Sequence, residues 1–527
     1  MVYRIVAACF SGLLLWLAWP TSTHSIFTFL IFIAWIPLLW LATNSSISHR
    51  HFVGYALITT LIWNASTTWW IYNASIPGAF GAIILNSIFM TLPWMGFHRL
   101  YIKKHISLAY FALIVYWMCF EYIHLHWDLS WPWLTLGNIF AAQPTWIQWY
   151  EYTGTSGGTL WILLVNILLW QVWKNRKRYP SIFRNSYIFW MIGVLVFPAV
   201  LSIAIGYKRL AYSSNKKNIV VVQPNIDSYT EKFASGTQQA QIQKLIQLSL
   251  TQIDSNTALL VWPETAVPTQ VMEDEIKTNE YYQPIFAFIQ QHPQLTLITG
   301  IDSYKKYFTQ PIPSSARKDA QGIYYDAFNT ALAVDTAFHL PIYHKSKLVP
   351  GVESLPSWLN FLGKWFEDFG GMSGTLGVQK ERSVFTDIQH YYTAAPIICY
   401  ESIYGEYVTA YVRKGANVLT IITNDGWWGD TYGYKQHLLY GRLRAIETRC
   451  WIARSANTGI SCFIDPAGNI INPQAWNTAA AIKANIPTCT TQTFYVRYGD
   501  VLSRLAIGCT VLVLIWNILH YIRKRFL

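Results

Sequence analysis

The chain has 527 residues, of which 53% are hydrophobic, 16% aromatic and only 13% charged. A soluble globular protein carries about 25% charged residues, so this composition excludes an ordinary soluble enzyme and points to an integral membrane protein anchored by interfacial aromatics. The net charge of +12 does not mark a nucleic-acid binder, because the basic residues gather in short loops between apolar runs.

Taken in chain order, apolar runs near 5–21, 25–43, 53–72, 80–97, 106–122, 158–174, 187–206 and 502–521 give eight expected spans, each within the roughly 17–25 residues a bilayer requires. The first, with Arg4 ahead of Leu13-Leu14-Leu15, resembles a signal peptide but lacks a small-x-small cleavage site, so it reads as a retained helix. Arg50 follows the second run, and Arg99, Lys103 and Lys104 follow the fourth. Lys174, Arg176, Lys177, Arg178 and Arg184 follow the sixth, and Arg523, Lys524 and Arg525 the last. Loops 73–79 and 123–157 contain no Lys or Arg. The positive-inside rule then predicts cytoplasmic termini and an insert at 207–501 facing outward. Lys208, Arg209, Lys216 and Lys217 lie on the wrong side, but long domains translocate despite such charge. The expected organisation is a seven-helix membrane domain over 1–206, an extracytoplasmic catalytic domain over 207–501, and a C-terminal helix with a basic tail over 502–527.

Loop 123–157, with Trp127, Trp131-Pro132-Trp133 and Asn138, reads either as an interfacial aromatic belt or as part of a lipid portal. Gly154-Thr155-Ser156-Gly157-Gly158 fits the hydrolase elbow G-x-S-x-G, but it opens a span rather than joining a strand to a helix. No H-E-x-x-H and no His/Cys cluster occurs, so no metal and no cofactor is expected. Cys399, Cys450, Cys462 and Cys489 fall in the insert, and the sequence leaves any disulfide among the last three open.

In the insert, short β-branched runs at Asn218–Val222, Ala258–Trp262, Leu295–Thr299, Thr330–Val334, Pro396–Cys399, Val418–Thr423, Trp451–Ala456 and Ser461–Ile464 read as strands. Helical patterns near 232–253, 280–291, 404–413 and 435–449 alternate with them, which predicts a layered α/β domain. His437 would cap or fill the last of these helices. Over 355–371, Leu355, Trp358, Leu359, Leu362, Trp365, Phe366 and Phe369 recur at helical spacing. That segment is either a core helix or an interfacial flap.

Three stretches carry the candidate chemistry: Val261-Trp262-Pro263-Glu264-Thr265, His344-Lys345-Ser346-Lys347-Leu348-Val349-Pro350 and Ile398-Cys399-Tyr400-Glu401-Ser402. Cys399 and Glu264 each follow an apolar strand, where α/β folds place active sites. Taken singly, Cys399 reads as a buried structural thiol and Lys345 as a surface amine. Together they supply a nucleophile, a base and an oxyanion stabiliser for acyl transfer.

The order Glu264, Lys345, Cys399 in these contexts resembles the nitrilase (carbon–nitrogen hydrolase) superfamily. The flanks His344–Glu353, Cys399-Tyr400-Glu401, Thr423-Asn424-Asp425-Gly426-Trp427-Trp428-Gly429, Arg444–Thr448 and Ala456–Ser461 resemble the apolipoprotein N-acyltransferase family. The resemblance implies an α-β-β-α sandwich with seven spans before it and one after, in a bacterial cytoplasmic membrane with the catalytic domain on the periplasmic side. It also implies a ping-pong N-acyltransferase. Cys399 would take an acyl chain from a phospholipid, expected to be phosphatidylethanolamine, as a thioester. The chain would then pass to the N-terminal amine of a diacylglyceryl-cysteine apolipoprotein. Glu264 would be the base, and Lys345 with the Tyr400 N–H would hold the oxyanion. Glu353 and Glu401 would position Lys345 and the amine, with Trp262, Phe233, Trp358 and Asn424 supporting. The expected partners are the bilayer, donor and acceptor, with no nucleic acid, and the expected state is a monomer.

The chain departs from the family at Gly351-Val352-Glu353, where Phe-Gly-Glu is common. The family's Trp after the first strand of the domain has Tyr229 and Phe233 as candidate equivalents here, and Lys347 is a second amine beside Lys345. The rival reading is a membrane-tethered nitrilase-type amidohydrolase acting on a soluble amide with the same triad. A transporter or lipid-binding module with an inactive domain fits less well: the triad is intact, and Glu121 and Asp128 lie near a membrane boundary rather than at mid-bilayer.

Overall fold

The computed structural model describes residues 1–21, 25–176, 181–206, 212–355 and 375–526. Its contacts divide the chain into two compact units. One comprises Met1–Trp69, Ala79–Lys208 and Tyr498–Leu527, the other Trp70–Gly78 and Arg209–Arg497.

The first unit is helical. Five helices among the described residues are long and apolar enough to cross a membrane: Ile76–Ile102, Ile106–His124, Thr155–Asn175, Ile188–Gly206 and Val501–Lys524. The eight expected spans are not reached by that measure. The first expected run forms the 17-residue helix Val2–Ala18. The second breaks into a 3-10 turn, Thr28–Phe32, and a seven-residue helix, Ile36–Ala42, with a proline in its first turn. Pro37 has no N–H to continue a preceding helix, so it starts a new one. The third forms His49–Thr68, which is 20 residues long but studded with Thr59, Thr60, Asn64 and Thr67.

The core of this unit is aromatic. Trp35 packs on Trp63, Trp94 and Trp117 at centroid separations of 5.8, 5.1 and 5.2 Å. The Glu121 carboxylate is buried there, and its oxygens accept from Trp117 Nε1 at 2.9 Å, Leu136 N at 2.8 Å and Thr159 Oγ1 at 2.7 Å. Ser156 of the G-x-S-x-G stretch lies in the helix Thr155–Asn175, and its hydroxyl donates to Thr153 O and Asp500 Oδ1, both at 2.8 Å. That pairing ties two helices and leaves no hydrolase elbow.

The second unit is the expected α-β-β-α sandwich. Its strands are β1 (Tyr212–Gln223), β2 (Thr257–Val261), β3 (Val267–Met272), β4 (Thr296–Tyr307), β5 (Arg317–Lys318), β6 (Tyr324–Val334) and β7 (Ile342–His344). There follow β8 (Phe385–Thr386), β9 (Thr393–Ile398), β10 (Val418–Thr423), β11 (Ile452–Ala456), β12 (Cys462–Ile464), β13 (Ile470–Ile471) and β14 (Ala480–Cys489). One sheet has the order β14-β1-β2-β4-β6-β5, with β3 on β4 and β7 on β6; the other has the order β13-β12-β11-β10-β9-β8. The sheets meet face to face, β1 against β11, and Ser455 Oγ bridges them by donating to Val222 O at 2.7 Å.

Helices Gln238–Leu250 and Gln283–Gln290 cover the first sheet through a core that includes Val220, Leu260, Trp262, Ile242, Leu245 and Ile289. Helices Gly405–Arg413 and Tyr432–Thr448 lie against the other. The innermost strands β2 and β10 are buried along their whole length, which is why their sequences are unbroken apolar or Thr runs rather than alternations.

Each of the eight expected strands is present. The long strand the sequence conceals is β14. Its Ala-rich, Pro487-containing run carries little alternation, yet it pairs antiparallel with β1 at the sheet edge, where proline is tolerated. Trp70–Gly78 packs in this unit as well, with the Trp70 ring 5.0 Å from Trp428 and Asn73 Nδ2 donating to Trp428 O at 2.9 Å.

Candidate active site

Parallel pairing of β1-β2-β4 and of β9-β10-β11 brings several strand C-termini to one edge. Glu264 follows β2, Lys345 follows β7, Cys399 follows β9 and Asn424 follows β10. The fold thus gathers residues separated by more than 150 positions.

Lys345 Nζ lies between two carboxylates, 3.2 Å from Glu264 Oε1 and 2.7 Å from Glu353 Oε1. Asn329 Nδ2 donates to the same pair of oxygens at 2.8 and 3.1 Å. Glu264 Oε2 accepts from the main-chain N–H of Asn424 at 3.0 Å. Glu353 Oε2 accepts from Val349 N at 2.8 Å, which fixes the loop that carries the lysine. Lys347 instead sets its ammonium over the Tyr404 ring at 4.8 Å, so the amine among the carboxylates is Lys345.

The side chains are almost shut away from solvent: Cys399 is 8% exposed, Glu264 6% and Lys345 1%. Burial pushes the Cys399 thiol well above its ordinary value, the Glu264 charge pushes it further, and Lys345 offsets only part of this. Burial would also raise Glu264, but Lys345, Asn329 and Lys232 outweigh it and hold the carboxyl below its usual range. For Lys345 burial favours the neutral amine, yet Glu353 and Glu264 overcome this and hold the ammonium firmly protonated. The resting site is therefore a thiol beside an ionised base and a fixed cation. Such a base can take the thiol proton as the sulfur attacks.

Cys399 sits at φ +48° and Thr265, next to Glu264, at φ +47°. Left-handed backbone at a non-glycine residue costs roughly 1–3 kcal/mol and persists only where neighbours enforce it. At Cys399 the carbonyl oxygen accepts from Ser402 Oγ at 2.8 Å and faces His437 Nε2 at 3.2 Å. His437 is in turn held by Asp425 Oδ1 at 2.9 Å, and Arg454 Nη2 donates to Asp425 Oδ2 at 2.7 Å. This Asp-His-Cys chain looks like a catalytic relay, but the imidazole meets the cysteine's main chain and Ser402. His437 therefore braces the nucleophile turn rather than simply filling its helix. At the base, Gly300 lets β4 press against the turn, since a Cβ there would lie 2.4 Å from Thr265 N and 2.6 Å from Glu264 Cα.

The remaining expected residues fall in varied places. Glu401 is buried and accepts from Ile398 N at 2.9 Å, and from Ser346 N, Tyr343 OH and Tyr407 OH at 2.7 Å each. It ties the cysteine turn to the lysine loop and makes none of these contacts with the Lys345 amine. Tyr400 is buried with its ring edge-on to Tyr404 at 5.3 Å. Asn424 contributes its main chain to Glu264, while its Oδ1 accepts from Ser228 Oγ and Asn457 Nδ2, both at 3.1 Å.

Trp262 belongs to the core beneath the helix Gln238–Leu250, its indole donating to Ser249 Oγ at 2.9 Å; it backs the Glu264 turn rather than lining the site. Phe233 is 52% exposed and stacks on Trp427, whose ring also meets Tyr229 edge-on. Trp358 and most of the 355–371 segment lie outside the described residues.

Sequence reasoning missed Asn329, Lys232, Arg454 and the bracing role of His437. Asn329 and Arg454 did leave a trace, each being a strongly polar residue inside an apolar strand. Lys232 left none, standing in a polar loop among other polar residues. All seven cysteines are free thiols.

Residues 219–494, just over half of the chain, match the family model described as carbon-nitrogen hydrolase. The chain belongs to the carbon–nitrogen hydrolase family. Its residues 11–168 also match the apolipoprotein N-acyltransferase N-terminal domain, which distinguishes it from a hydrolase domain standing alone. It is 29% identical to an apolipoprotein N-acyltransferase of Chlorobaculum tepidum over 94% of this chain and 93% of that one. It is 23% identical to one of Thermotoga maritima over 89% and 86%, and 26% identical to one of Rickettsia typhi over 84% and 82%.

Proposed function

We propose that this carbon–nitrogen hydrolase family member is an apolipoprotein N-acyltransferase of a bacterial membrane, working through an acyl-enzyme on Cys399. In the first half-reaction Glu264 takes the thiol proton as Sγ attacks an ester carbonyl of a phospholipid, with phosphatidylethanolamine as the expected donor. The oxyanion is held by Lys345 and the Tyr400 main-chain N–H. Collapse breaks the ester C–O bond, and the lysophospholipid oxygen leaves with the proton from Glu264. In the second, the N-terminal amine of a diacylglyceryl-cysteine lipoprotein attacks the thioester and gives its proton to Glu264. Collapse then breaks the C–S bond, and the proton returns to Cys399.

The observation that carries this reading is the single lysine held at 3.2 and 2.7 Å between the buried Glu264 and the part-buried Glu353 at the strand end next to Cys399, in a chain whose residues 11–168 match an N-terminal domain that a plain hydrolase lacks. We further propose that residues 207–501 face the periplasm, that both termini are cytoplasmic, and that the enzyme acts as a monomer.

Intact-mass analysis of the purified protein with phospholipid tests the reading. A hydroxylamine-labile fatty-acyl adduct is expected in wild type and absent from Cys399→Ala, and it should discharge onto a diacylglyceryl-cysteine peptide. Hydrolysis of small amides without a lipid adduct would instead establish the membrane-tethered amidohydrolase.

A further inference from the structure

Lys232 stands in the loop between β1 and the helix Gln238–Leu250 and is 3% exposed. Its own backbone is fastened, with its N–H donating to Asp227 O at 2.9 Å and its carbonyl accepting from Gln241 Nε2 at 3.1 Å. Its Nζ donates to the main-chain oxygen of Glu264 at 3.0 Å and lies 5.9 Å from the Phe233 ring centroid. The groups that act on this amine are the Glu264 carboxylate, the Asp302 carboxyl on β4 and the Cys399 thiol. Burial lowers the amine, those three raise it, and the outcome is about 8. Asp302, half-buried and hydrogen-bonded by Thr265 Oγ1 at 3.3 Å, is pushed up to about 6 by burial, against the pull of Lys232.

A buried ammonium is costly unless something requires it there. Two cations, Lys232 and Lys345, serve a cluster of three carboxyls, Glu264, Glu353 and Asp302. Without Lys232 a single cation would face all three, and the cheapest relief would be for one carboxyl to bind a proton. If that were Glu264, the base would be lost.

We infer that Lys232 is a positioning residue for the general base, clamping the main chain of the Glu264 turn and supplying the second positive charge that keeps Glu264 ionised. The inference rests on the proposed roles of Glu264 and Cys399, but not on the identity of the acyl donor.

The test measures the rate of Cys399 acylation against pH by intact mass in full-length, detergent-solubilised protein. A p-nitrophenyl fatty ester serves as the probe, since its activated leaving group needs no headgroup recognition, and phospholipid is run in parallel. Because an ordinary carboxyl titrates near 4.3 and Glu264 lies below it, wild type should be flat across about pH 5–7. Lys232→Met should lose rate and show an acid limb inside that window, an upward shift of about 1–3 units for removal of an adjacent opposite charge. Lys232→Gln, which keeps a donor for Glu264 O without the charge, should recover part of the plateau rate but keep the shifted limb. If Lys232→Met does not fold, the Lys232→Gln profile decides.

Asp302 titrates in the same window, so each variant is repeated with Asp302→Asn. The comparison is then made within the Asp302→Asn background: an acid limb at higher pH in Lys232→Met/Asp302→Asn than in Asp302→Asn alone belongs to Glu264 and supports the inference, and identical profiles overturn it. A folded Lys232 variant with an unmoved limb also overturns it. Acylation by the p-nitrophenyl ester without acylation by phospholipid would overturn the proposed donor and leave the result on Lys232 standing.

Discussion

Both units bury glutamates, and the partners given to Glu121 in the first and Glu264 in the second set these two apart. Glu121 is satisfied by an indole, a main-chain amide and a hydroxyl, all neutral and all from the elements it joins. Glu264 is met by an ammonium, a side-chain amide and a main-chain amide, with a second ammonium on its own carbonyl oxygen. Neutral donors fix a carboxylate in place and leave it nothing to exchange. Charged neighbours also set its ionisation, and both ammonium groups near Glu264 feel the Cys399 thiol. The same side chain fastens helices in one unit and, in the proposed mechanism, serves as the base in the other.

One substitution made at both positions sharpens that contrast. Glu264→Gln keeps the shape but removes the base, so acylation should fall by about 10²–10⁴-fold, and the unfolding temperature should also drop because buried Lys345 keeps only Glu353 as its ion-pair partner. Lys345→Met should follow, with a loss of about 10²–10³-fold for the missing oxyanion donor, and it should also destabilise the fold because Glu264 and Glu353 are left as unpaired buried charges. Glu121→Gln should leave acylation per folded molecule unchanged and cost about 1 kcal/mol in stability, the worth of one lost hydrogen bond, read by thermal unfolding in detergent. If Glu121→Gln abolished acylation in folded protein, the division between fastening and acting would fail.

The smallest effects concern the brace under Cys399. Ser402→Ala should cost about 0.5–1.5 kcal/mol and slow acylation modestly through a looser turn. Burial would raise the Asp425 carboxyl, but Arg454 and His437 outweigh it and hold it at about 2. An unfolded aspartate titrates near 3.9, so the stabilisation from Asp425 is complete above about pH 4 and is lost as pH falls towards 2. The gap in unfolding temperature between wild type and Arg454→Met should therefore narrow over that interval. A gap independent of pH would mean that Arg454 acts by packing alone.

Much of this was legible in the residues, for a physical reason. Strands buried on both faces must be apolar throughout, so Ala258–Trp262 and Val418–Thr423 stood out, and a Glu or Cys placed just after such a run has few structural uses. Lys345 could be tied to Glu264 only through the resemblance, since nothing local says that a lysine after β7 will reach the end of β2. Lys232 and the His437 brace were hidden because their partners are main-chain oxygens, and a carbonyl carries no residue identity to be read. The eight expected spans are not all matched by long apolar helices among the described residues, for a related reason. Apolar length alone does not register that Pro37 starts a new helix or that His49–Thr68 carries a Thr/Asn-rich face.

The brace on Cys399 and the clamp on Glu264 both grip carbonyl oxygens, at Cys399 O and Glu264 O. A mount that holds the backbone is indifferent to the atom presented at the tip. Replacing the sulfur with an amine, by installing 2,3-diaminopropionate at position 399, should leave the turn intact and convert a transient thioester into a durable amide. The enzyme would then keep a covalent record of whichever acyl chain it selects.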